Sequence, residues 1–257
     1  MKHKAFTLIE LLVVIAIIAV LMAILMPSLR AAKDHAVRVH CISNVKTLTL
    51  AWIMYKDAND DKMVGSMIEN TSYAWVRPVP SGATAQQEKE QAIKNGALFP
   101  YVSGSFNVYR CPADRRLRDP RQYAFRSFSI ANGANGETSW PGCHEPAKLY
   151  SDIKNPSLKY VFLEDIDPRG SNVGSWQIRY SPGSWIDPVA MWHKEQTSLG
   201  YADGHTEMHR WRDQSLIDWA QTAMYSPTTF QFNLTPPADQ QDDLTFMLQG
   251  FPCKSHQ

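Results

Sequence analysis

A long apolar run from Phe6 to Met26 limits what this chain can fold into more than any other feature. At 1.5 Å per residue, a helix over about 21 residues reaches roughly 31 Å, close to the hydrocarbon thickness of a bilayer. Lys2, His3 and Lys4 stand before the run, and Glu10 is the only charge inside it. A cleavable secretory signal has a shorter apolar core, roughly 7–15 residues, followed by small residues at the cut. Here Leu25, Met26 and Pro27 occupy that place. A plain membrane anchor leaves Glu10 unexplained, because a carboxylate near the middle of a spanning helix costs about 2.5 kcal/mol or more and implies a partner.

The basic residues before the run predict a cytoplasmic amino end and export of everything after Met26. The opposing Arg30, Lys33 and Arg38 sit on a helix rather than in a retained loop. Formal net charge is +1, falling to about −1 without Lys2 and Lys4. With no basic block, nothing points to nucleic acid. Export makes disulfides possible, and four cysteines (Cys41, Cys111, Cys143 and Cys253) allow three complete pairings. Their spacing matches no zinc pattern such as C-x2-C. Cys111 with Cys143 is the preferred pair, because both flank one loop-rich segment; the alternative is four reduced, buried thiols.

Pro27 falls just past the apolar run, where it removes one helical hydrogen bond and predicts a kink. The helical pattern then resumes, with Leu29, Ala32, Ala36, Val39, Ile42, Val45, Leu48, Trp52 and Tyr55 at steps of three and four. A bent helix of about fifty residues is expected, its distal half laid along a globular head. Asp57, Asn59 and Asp61 offer oxygens at alternate positions, as a calcium loop begins. Lys62 then stands where glycine is required, and Ile68 where the bidentate glutamate belongs. A solvated helix exit is the preferred reading, with calcium as the one cofactor to test and no other implied.

Beyond the stem, aromatic and proline-rich composition favours short strands and ordered loops over a helical bundle. Residues 65–87 read as loop, Gln87–Asn95 as a helix stopped by Gly96, and Asn107–Cys111, Tyr123–Ile130 and Leu158–Glu164 as strands. Ser198–Ala202 and His205–Trp211 alternate on either side of Asp203-Gly204, predicting a β-hairpin closed by a two-residue type I′ turn. Asp213–Met224 reads as an amphipathic helix. His193, Asp203, His205 and His209 invite a metal or acid/base proposal. The bland reading is preferred, because turn chemistry explains Asp-Gly and no third ligand stands at a metal-like spacing. Glu164, Asp165 and Asp167 read as a solvated strand end. Trp75, Trp140, Trp176 and Trp185 suit a core more than sugar stacking. No G-x-S-x-G, P-loop or HExxH pattern occurs, so common hydrolase and nucleotide signals are missing and the chain reads as no enzyme.

The short basic leader, the small residue Ala5 and then Phe6-Thr-Leu-Ile-Glu10-Leu-Leu-Val-Val-Ile15 resemble the amino-terminal signal of type IV prepilins and type II secretion pseudopilins. The resemblance implies cleavage between Ala5 and Phe6 by a prepilin peptidase, and then N-methylation of Phe6. Glu10 would face the new amino terminus of a neighbouring subunit during assembly. Gly is usual before the cut, and Ala5 is small enough to replace it. His193, nine residues and Asp203-Gly204 are similar to the H-X9-DG element of pseudopilin-like processing-associated proteins, as are Tyr109-Arg-Cys-Pro-Ala-Asp114 and Asn155-Pro-Ser157. The fold expected is α+β: a long helical stem, half membrane-spanning and half amphipathic, packed on a β-rich head of pilin-like type. The expected organisation is leader 1–5, transmembrane helix 6–27, stem 28–60, head 61–225 with its hairpin motif at 193–204, and a Pro/Gln-rich tail 226–257. The expected partners are copies of itself or other pseudopilins, the peptidase, the inner membrane and a secretion or pilus assembly machine. A membrane-tethered binding module, using head aromatics on polysaccharide, is the alternative.

Overall fold

The structure, a computed structural model, describes residues 8–79, 86–118, 125–138, 143–169 and 174–256. It divides into two compact units, Met1–Val39 and His40–Gln257. Helix α1 (Leu8–Asp57) supplies the described part of the first unit and continues into the second. Its sequence is rich in Leu, Ile, Ala and Met and contains no glycine. Glu10 lies in the first turn and Lys56 in the last, where each charge complements the helix dipole. Every described side chain from Leu8 to Ala36 is exposed.

The second unit is α+β. Its part of α1 buries Cys41, Val45, Leu48, Trp52 and Tyr55, the three- and four-residue stripe of an amphipathic helix. That stripe covers one face of a four-stranded antiparallel sheet, ordered β3 (Phe128–Ile130), β4 (Tyr160–Glu164), β7 (Gln196–Tyr201), β8 (Thr206–Arg210). All five residues of β4 are buried, because its two faces are both covered. Val161 and Phe162 join the α1 side, while Tyr160 and Leu163 join the other, an irregular alternation that coincides with a register shift between Tyr160 and Phe162.

The opposite face carries α3 (Gln214–Tyr225) and α4 (Asp242–Gly250), with Leu216, Ile217, Ala220, Leu244 and Met247 packed on Leu163, Leu199 and Tyr201. Two aspartates fasten these helices reciprocally: Asp243 accepts from the backbone N–H of Arg212 and Asp213 at 2.7 and 2.8 Å, and Asp213 accepts from that of Asp243 at 2.9 Å. Trp176, Trp185 and Trp211 meet edge to face at 5.9–6.1 Å within this layer. Small pairs complete the unit: β1 (Gly65–Ile68) with β2 (Ala74–Val76), and β5 (Ile178–Arg179) with β6 (Ser184–Trp185). Helix α2 (Gln86–Lys94) lies between these pairs in chain order.

Several local expectations change. Of the expected strand Tyr123–Ile130 only Phe128–Ile130 is one, since 125–127 is irregular and 123–124 lies outside the described residues. Residues 65–76 form the parallel β1–β2 pair, not open loop. Phe106–Tyr109 is a 3₁₀ turn rather than the start of a strand, since Arg110 N–H closes onto Asn107 O at 3.1 Å. Residues 242–253 of the expected tail belong to the core, with Leu244, Met247, Phe251 and Cys253 buried.

Candidate functional site

In the first unit, Glu10 stands on α1 among exposed apolar neighbours, with Ile9 76% and Leu11 51% accessible. Ala5 and Phe6 lie outside the described residues. Pro27 lies inside the continuous helix, where it has no N–H to give the carbonyl of Ala23. Ser28 Oγ donates to Leu25 O at 2.7 Å one turn back. A helix this long and apolar is able to cross a membrane, and such a surface has to be covered by lipid or protein.

In the second unit, the hairpin between β7 and β8 closes on the Tyr201–His205 pair with three residues inside it, 202–204, rather than two. Gly204 N–H donates to Tyr201 O, and Tyr201 N–H to His205 O, each at 2.9 Å. Ala202 and Asp203 therefore form a turn, and Gly204 alone takes a positive φ, +95°. Asp203 Oδ1 accepts from the backbone N–H of His205 at 3.0 Å and lies 2.6 Å from its ring Nδ1. Burial pushes the Asp203 carboxyl up, but the His205 bonds outweigh it and hold it below the usual range. Lys46 of α1 donates to Gly204 O at 2.6 Å, tying the loop to the helix.

The histidines of the motif region separate. His205 stacks on Tyr201 at 4.2 Å, and His209 stacks on Phe246 of α4 at 4.0 Å. His193 turns inward instead: its Nε2 lies 3.0 Å from Glu164 Oε1 and 3.2 Å from Cys111 Sγ. The side chains of His193 and Glu164 are 3% and 0% exposed. Ser198 N–H donates to the second Glu164 oxygen at 2.9 Å, fixing the carboxylate.

The cysteines pair differently from the sequence expectation of Cys111 with Cys143. Cys41 bonds Cys111, and Cys143 bonds Cys253, with Cα separations of 5.3 and 5.8 Å. Cys41 sits on the buried face of α1, which the sheet brings to the segment after the Phe106–Tyr109 turn. Cys143 meets the chain leaving α4, where Pro146 and Cys253 form a bridge.

The calcium candidates do not converge. Asp57 pairs with Lys56 at 2.7 Å, Asn59 donates back to Tyr55 O at 2.7 Å, and Asp61 accepts from Ser151 N–H at 2.9 Å. Each side chain is engaged separately, Asp57 and Asn59 at the helix end and Asp61 on the segment at Ser151. The acids after β4 are buried rather than solvated: Asp165 and Asp167 are each 6% exposed. They border a cavity of about 400 Å³ with Glu137, Arg169, Asp187 and Phe232. Burial lifts Asp165 to about 6 against the Ser129 hydrogen bond and Arg126, and lifts Asp187 well above the usual range, with Asp165 adding to it. Trp75, Trp176 and Trp185 are core residues, and Trp140 lies outside the described residues. Sequence reasoning named Glu164 and His193 separately; only the fold joins them, because the partners come from β4 and from the loop before β7.

Comparison with curated proteins and with solved structures returned no match. Residues 1–26 match the prokaryotic N-terminal methylation motif, so the chain carries a prepilin-like signal at the head of α1 and is similar there to type IV pilin-like structural subunits.

Proposed function

We propose that this chain is a pilin-like filament subunit. A prepilin peptidase cuts between Ala5 and Phe6, the new amino group of Phe6 is methylated, and the amino-terminal helix packs against other copies or other pseudopilins. The product is a type II secretion pseudopilus or a type IV pilus-like fibre. Before assembly the helix crosses the inner membrane, with the amino end cytoplasmic and the head extracytoplasmic. One observation carries the reading: the methylation motif opens α1, whose exposed apolar stretch Leu8–Met26 bears a single carboxylate, Glu10. After cleavage Glu10 is the fifth residue, and an ammonium and a carboxylate in lipid are each costly alone and much less so together. The spacing from His193 to Asp203-Gly204 adds likeness to pseudopilin-like chains with the H-X9-DG element. Trp75, Trp176 and Trp185 are buried and offer no face to a sugar, so the glycan-binding alternative is not favoured.

Intact mass and filament shearing test it. The mature chain is expected to lack Met1–Ala5 and to carry one methyl group. Glu10→Ala is expected to insert in the membrane normally but to fall at least tenfold in the sheared filament fraction. An unprocessed mass, or normal assembly of Glu10→Ala, refutes the proposal.

A further inference from the structure

We propose that Cys41, Cys111, His193 and Glu164 are the four ligands of a zinc site that forms when the Cys41–Cys111 disulfide is opened. The four side chains offer one ligand atom each, all within 4.8 Å of one another, and all four residues are buried. Zinc bonds of about 2.0–2.3 Å imply tetrahedron edges of roughly 3.3–3.8 Å. Nε2 of His193 already stands 3.0 Å from Glu164 Oε1 and 3.2 Å from Cys111 Sγ, so these edges need to lengthen only slightly. The two sulfurs have to part, which breaking their bond allows, and the remaining edges, none above 4.8 Å, have to settle to the same length.

The donor set suits the ion. Two thiolates, an imidazole and a carboxylate match a borderline-soft cation and suit zinc better than calcium or magnesium, which take oxygen. Four protein ligands with no exposed position describe a closed structural site rather than a catalytic one. The ligands come from α1, the segment after the Phe106–Tyr109 turn, the end of β4 and the loop before β7, so a bound ion would tie the stem to the sheet. The outer shell is present as well: the Ser198 N–H on Glu164 Oε2 leaves Oε1 turned to the site. A histidine bonded to Glu164 beside a disulfide accounts for the same contacts in the oxidised chain, and metal binding after reduction separates the two accounts.

The two states interconvert by balanced steps. A dithiol reductant opens the disulfide and leaves as its own disulfide, giving two thiols; Zn²⁺ then takes both thiolates and releases two protons to solvent. In reverse, a disulfide oxidant takes two electrons, closes Cys41–Cys111 and expels the ion. A chain not yet oxidised enters at the dithiol stage.

Cobalt(II) is the probe, added to the full chain in detergent after reduction by a phosphine. One equivalent is expected to bind, with thiolate-to-metal charge-transfer bands and the absorption of a tetrahedral ion, and zinc should displace it. The bands should persist in Cys143→Ser/Cys253→Ser and vanish in Cys41→Ser/Cys111→Ser. His193→Ala and Glu164→Gln should each weaken binding by about tenfold to hundredfold. Circular dichroism of every sample establishes that the head is folded. Folded, reduced wild-type chain without thiolate bands overturns the proposal, and so do bands that survive loss of Cys41 and Cys111.

Discussion

Gly204 has a backbone angle, φ +95°, that a side chain makes costly, and a Cβ there would lie 3.0 Å from Ile53 Cδ1 of α1. Gly204→Ala should therefore destabilise the head by about 1–3 kcal/mol, read as a lower denaturant midpoint at unchanged slope. That a turn falls at Asp203-Gly204 was legible, because glycine's preference for positive φ is local. The loop length was not, since the register of β7 on β8 decides it: Gly200 faces Thr206 and Gln196 faces Arg210. His193 was legible as part of a motif but its role was not. Its partners Glu164 and Cys111 lie 29 and 82 residues away, and no spacing rule reaches across such distances.

α1 approaches the sheet closely at Gly200 of β7. A Cβ at that position would lie 2.8 Å from Val45 Cγ1 and would run into Thr49 Oγ1. Gly200→Ala should push helix and strand apart, costing about 1–3 kcal/mol as overpacking does, with faster amide exchange along residues 45–52 as the specific sign. The elements found from sequence share a strong local period. α1, α2, α3 and the β7–β8 pair appear close to where pattern and capping residues place them. Phe106–Tyr109 is the contrary case: valine and tyrosine favour a strand, but the chain must turn to deliver Cys111 to Cys41, and local propensity yields. β1 and β2 are too short to show a period.

On the scale of the molecule, buried acids set the pH dependence. Asp165 is held at about 6, and Asp187 and Asp213 are also raised, in each case chiefly by burial. Between the ordinary carboxylate pKa, about 3.9, and about 6, the folded chain keeps protons that the unfolded chain has lost, so stability falls as pH rises through that window. Asp61, Asp152, Asp203 and Asp243 are held below the usual range, so their contribution is lost as pH falls below about 4. Melting temperature should accordingly be higher at pH 5 than at pH 7, and Asp187→Asn should flatten that difference; a melting temperature that rises from pH 5 to 7 contradicts the assignment. The division into an apolar stem and an aromatic-rich head was plain from the order of residues. The disulfide pairing was not, because loop composition says nothing about which buried faces meet.

The bond between Cys41 and Cys111 closes a covalent loop 70 residues apart in sequence, and one end of it lies on α1. Tension drawn along that helix reaches the head at Cys41 and divides there between the backbone and the sulfur bridge. While the bridge is closed, stretching of the helix stops at Cys41, and the packing from Val45 to Tyr55 is shielded from the pull. Once it opens with no ion in its place, the same pull peels the helix from the sheet one turn at a time. The chemical state of one cysteine pair thus decides whether this head resists traction as a bolted joint or as a zip.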